Sequence, residues 1–101
     1  MIYILDTPII FMKAQLKNDL RTIFNKHDPI GIYVDKDTNF DEYDPEIGGL
    51  LVRYQRSENL EQFTNELHSL FQKMFDKDIA GPKSRYKKLA KGVFLLLNQQ
   101  K

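Results

Sequence analysis

Between Asp35 and Glu46 the chain sets six carboxylates in twelve residues, DKDTNFDEYDPE, against a single base, Lys36. Clustered carboxylates have three uses: ligation of a hard metal ion, attraction of a basic partner, or neutralisation of a basic segment of the same chain. The metal option has partial support. Asp35, Asp37, Asn39, Asp41 and Glu46 fall at the first, third, fifth, seventh and twelfth places of an EF-hand calcium loop. The sixth place of such a loop needs glycine for its sharp turn, and Phe40 stands there. Asp28-Pro29 and Gly31 break the incoming helix, and Pro45 departs from the usual exit. A small calcium-binding or regulatory interaction domain is therefore the alternative reading, and no metal ligand is assigned.

A basic protein partner asks less of geometry. Exposed carboxylates steer a basic surface and speed encounter. Asp35, Asp37, Asp41 and Glu42 are the candidate charges, and Asp44 suits a helix cap better than a contact. Phe40 and Tyr43 sit among them as candidate anchors, since aromatics are enriched where binding energy concentrates. At least one of the two is expected to pack inward instead.

A second charged segment is basic. Lys83, Arg85, Lys87, Lys88 and Lys91 occur in residues 83–91 with no acid. Cations at a helix start oppose the helix dipole, so something should compensate. Nucleic acid is one answer, with Tyr86 stacking on a base. Solvent or the acidic loop is the other, and a net charge of only +1 favours it over nucleic acid. Catalysis finds little footing. His27 and His68 fall on different elements, and no nucleophile elbow, phosphate loop or zinc-protease motif occurs. No catalytic residue and no cofactor are expected, and the chain is not read as an enzyme.

The elements that must position these residues are helical. Thr7-Pro8 resembles a cap followed by a first-turn proline. Leu16, Leu20, Ile23 and Phe24 then recur at helical steps, which predicts a helix from about 8 to 26. Asp28-Pro29 ends it. Asp44-Pro45-Glu46 opens a second helix, with Ile47, Leu50, Leu51 and Tyr54 on its inner side. Asn59 with Gln62 marks a third start, followed by a stripe of Leu60, Phe63, Leu67, Leu70, Phe71, Met74 and Phe75. Gly81-Pro82 stops the chain and restarts it into a last helix carrying Tyr86, Leu89, Ala90, Val93, Phe94, Leu96 and Leu97. The expected fold is all-α: one antiparallel bundle of about four helices, with a long acidic loop between helices 1 and 2.

At 101 residues the chain is sized for a single domain, 1–101. It has no cysteine, and so no disulfide and no thiolate ligand. No stretch has the length of a membrane span or the pattern of a secretory signal. A cytoplasmic location is expected, with no membrane partner.

Asp28-Pro29-Ile30-Gly31, followed by Asn39-Phe40-Asp41-Glu42-Tyr43-Asp44-Pro45-Glu46, resembles a group of small bacterial helical proteins. These carry a DP-x-G motif and then a DEYD motif. The sequence is also similar to immunity proteins encoded beside contact-dependent growth-inhibition toxins and related polymorphic toxins. The shared pattern is clearest over residues 27–54, and the flanking helices agree in size and type. The resemblance implies a small cytoplasmic protein that binds and neutralises a cognate toxin domain, commonly a nuclease. A basic nuclease surface would meet the acidic loop. The resemblance assigns no contact residue, because such interfaces differ from toxin to toxin.

Overall fold

Leu16, Leu20 and Phe24 repeat every four residues, and all three are buried on one side of α1, Ala14–His27. The computed structural model describes residues 14–33 and 40–100, so the expected helix start at Pro8 lies outside the described residues. α1 stops at Asp28, which turns to a φ of +42° and is followed by Pro29. The Asp28 amide still reaches back to the Phe24 carbonyl at 2.7 Å.

α2, Asp44–Arg56, has Pro45 in its first turn, where a missing amide hydrogen costs nothing. Ile47, Leu50, Leu51 and Tyr54 form its buried side. The expected Asp44 cap is not what starts it. Tyr43 occupies the cap position without a side-chain bond to the helix, and the Asp44 carboxylate is engaged elsewhere.

α3, Leu60–Met74, starts as its sequence predicts. The Asn59 side chain accepts from the Gln62 amide at 2.9 Å. Gln62 in turn accepts from the amide of Glu58 at 2.8 Å, one residue earlier than a standard capping box. Phe63, Leu67, Leu70 and Phe71 are buried, while Met74 at the end of the stripe is exposed. Gly49 of α2 lets the Leu70 side chain close in, since a Cβ there would stand 3.3 Å from its Cδ1.

The restart at Gly81-Pro82 is preceded by a short helix that the periodicity does not announce. α4, Lys77–Ala80, is capped by Asp76, which accepts from the Ile79 amide at 2.7 Å. A 3-10 helix, Lys83–Tyr86, then leads into α5, Lys87–Asn98, whose Leu89, Ala90, Val93 and Leu97 are buried.

These helices share one core. Phe24, Tyr43, Phe71 and Tyr86 form a run of ring contacts at one end of it. Tyr54, Phe63 and Phe94 form another, closed by the Tyr54 hydroxyl donating to Asn98. Each large side chain removed from water contributes about 1.5–3 kcal/mol, so these clusters dominate cohesion. Among the described residues there is no strand, and the protein is all-helical there. No described helix is long and apolar enough to cross a membrane.

Candidate partner-binding site

The second half of the acidic stretch is built onto α1 by four side chains. Arg21 donates from Nε and Nη2 to the two carboxylate oxygens of Asp44, at 2.9 and 2.6 Å. This fork-to-fork pairing is the strong form of an ion pair. It holds the guanidinium pKa above its ordinary value. The same guanidinium lies 4.9 Å from the centroid of the Phe40 ring. One turn on, the Asn25 side chain donates to the Phe40 carbonyl at 2.7 Å. Ring and backbone of Phe40 are thus held by two residues four apart on one helix face.

The other fixture joins the two motifs directly. Asp28 Oδ1 accepts from the amides of Ile32 and Tyr33, at 2.9 and 3.1 Å, and from the Tyr43 hydroxyl at 2.5 Å. The Ile30 amide donates to the Tyr43 oxygen at 3.4 Å. The positive φ of Asp28 turns its carboxylate into the loop that follows, a local closure typical of aspartate. Burial and donation to Asp28 hold the Tyr43 phenol far above its ordinary pKa, so it stays a donor.

The structure sorts the candidate contacts. Phe40 is 47 % exposed even with its ring against Arg21. Asp41 and Glu42 are exposed, and Asp41 closes the turn by accepting the Asp44 amide on its carbonyl. Tyr43 must be withdrawn as a contact. It is 1 % exposed, with its ring against Phe24 and Phe71. Its place follows from spacing, because Tyr43 extends the Ile47, Leu50 and Tyr54 stripe backward by four residues. Asp35 and Asp37 lie outside the described residues.

Glu46, in the first turn of α2, lies on the buried side of the helix. It is 3 % exposed, and its Oε1 has no hydrogen-bond partner among the described residues. Burial pushes its carboxyl up to about 7, opposed by its backbone amide and aided by Glu42 and Asp44. For the calcium reading, the two described members of the proposed ligand set are placed differently, Asp41 exposed and Glu46 buried. No described group of three or more histidines or acids is placed to hold a metal ion.

The basic segment does not meet the described part of the acidic stretch. Lys83 pairs with Glu61 of α3 at 2.6 Å. Arg85 Nη1 donates to the carbonyls of Pro29, Ile79 and Ala80 at 3.1–3.2 Å, tying α4 to the DP-x-G turn. Tyr86, which the less favoured nucleic-acid reading would stack on a base, is 0 % exposed with the apolar side of the last helix and donates to the Ala80 carbonyl at 2.6 Å. Burial pushes its phenol up to about 12.

No protein-family model, curated protein or solved structure matches this chain. The site is therefore read from its own chemistry. His68 sits on α3. Its Nε2 donates to the Gly81 carbonyl at 2.8 Å, and its ring lies 5.4 Å from Tyr86. His27, at the end of α1, is held below its ordinary pKa by burial, then by Lys26 and Lys88. The residues that sequence reading missed are Arg21 and Asn25. Their only signal is a four-residue spacing on the flank of an amphipathic helix.

Proposed function

We propose that this chain is an immunity protein that binds and neutralises a cognate toxin domain, a basic nuclease, in the cytoplasm. On this reading the chain performs no chemistry of its own. Its helices form an antiparallel bundle that displays the acidic loop between α1 and α2. The supporting observation is the exposed Phe40-Asp41-Glu42 edge on a fixed base. Arg21, Asn25, Asp28 and Asp44 hold that base, while the two edge carboxylates have no ion pair among the described residues. Pre-positioned charge of this kind accelerates association with a surface of opposite sign. The motif resemblance supplies the kind of partner.

On this reading a toxin domain is encoded beside this chain's gene, and the test immobilises that domain for association kinetics. The wild-type chain should bind and abolish nuclease activity at equimolar ratio. Double reversal, D41K with E42K, should slow association and flatten its salt dependence. Unchanged kinetics in the double variant would remove the edge from the interface.

A further inference from the structure

The basic segment poses the question left by the fold. Its first member, Lys83, is neutralised by Glu61, and Arg85 is committed to backbone carbonyls. Lys87, Lys88 and Lys91 are exposed and make no ion pair among the described residues. Two of them occupy the first turn of α5, which contains no acid. Helix dipole and mutual repulsion both disfavour that placement. The three lysines line a groove of about 330 Å³, whose opposite wall is Leu60, Glu61 and Thr64 of α3. Leu60 gives the groove a partly buried apolar surface, and Thr64 is itself buried.

We propose that this groove is a second interaction surface, which takes an acidic, amphipathic helical segment of a partner protein. Lys87 and Lys91 are four apart, and Lys88 is three from Lys91, so they form one cationic face. Carboxylates at matching spacing on a facing helix would meet them, and an apolar residue between would rest on Leu60. A nucleic acid fits less well. The segment's aromatic residue, Tyr86, is sealed in the core, so no stacking platform accompanies the charge. Glu61 stands in the groove wall paired with Lys83, so its charge is offset and Lys87, Lys88 and Lys91 leave the groove cationic. The proposal does not rest on the immunity reading, because it involves neither Asp41 nor Glu42.

The test is fluorescence anisotropy with three probes at about 0.15 M salt, where exposed charges are screened beyond roughly 8 Å. One probe is a helical peptide with glutamates four apart and leucines between. The second has the leucines replaced by serine at equal charge. The third is single-stranded RNA. The first peptide should bind saturably and about tenfold more tightly than the second, a factor that corresponds to 1.4 kcal/mol. K87E, K88E and K91E combined should abolish its binding. L60A should remove the preference between the two peptides, with the melting temperature showing that the fold persists. D41K with E42K should leave peptide binding intact, which separates this surface from the acidic edge. Equal affinity for both peptides, no saturable binding, or tighter binding of RNA lost in the same triple variant would each overturn the proposal.

Discussion

The Tyr43 hydroxyl donates to Asp28 Oδ1 at 2.5 Å, across fifteen residues of sequence. The bond joins the end of α1 to the start of α2 and leaves the acidic stretch anchored at its far side. It turns two separate sequence motifs into one structural unit. Tyr43→Phe keeps the ring contacts and removes one of the three donors on Oδ1. A hydrogen bond to a charged group contributes about 1.5–3 kcal/mol, so urea denaturation should show a loss in that range. A change below about 0.5 kcal/mol would mean that the two amides alone hold the turn.

Arg21 and Asp44 form the second anchor, with side chains 16 % and 24 % exposed. Partial exposure sets the scale at about 1 kcal/mol, between a surface pair and a buried one. A double-mutant cycle of Arg21→Ala and Asp44→Ala should give a coupling of about that size. The Arg21 change should cost more than the Asp44 change, because it also removes the contact with Phe40.

Glu46 predicts the pH dependence of stability. Its carboxyl is raised in the folded chain from 4.5 to about 7. The folded state therefore binds the proton more tightly than the unfolded state does. The contribution is full below about 4.5 and is lost as pH rises through about 7. Glu46→Gln, which stays neutral, should flatten the decline across that window and raise stability at alkaline pH. Urea midpoints at about pH 5 and about pH 8 for both proteins give the comparison. A parallel decline in the variant would place the titration on another group.

Gly81 is held at a φ of +75°, and a Cβ there would stand 2.5 Å from the Arg85 guanidinium carbon. Gly81→Ala should therefore combine backbone strain with displacement of Arg85 from Ala80 and Pro29. A loss of about 1–3 kcal/mol is expected from thermal melts. Arg85→Ala should reproduce part of it, and the double variant should cost less than the sum.

Sequence reading reached the long elements because their signals are local. The Asn59 cap and the Phe63, Leu67, Leu70 stripe define α3 within a few residues of chain. The start of α2 is legible from Pro45, but the roles of its neighbouring acids are not, because each depends on tertiary surroundings. Asp44 looked like a cap and instead faces Arg21. Glu46, also in the first turn, continues the buried side of α2. The Asp44 outcome depends on Arg21 of α1, which is distant in sequence. α4 went unseen because four residues are too few to display a period. Helical phase does not separate the two aromatics of the acidic stretch, since Tyr43 lies four residues and Phe40 seven residues before Ile47; the Arg21 and Asn25 contacts that hold the exposed Phe40 come from α1.

Asn25 grips Phe40 by its main-chain carbonyl, a group that every amino acid carries. The grip is therefore indifferent to which side chain stands at position 40. Asp41 and Glu42, next along, meet no described side chain in a hydrogen bond or ion pair. Residues that frame the loop and residues that face outward are thus different residues. Substitution at the outward ones leaves the framing contacts untouched, so the surface chemistry of this edge is free to vary one residue at a time while its scaffold stays fixed.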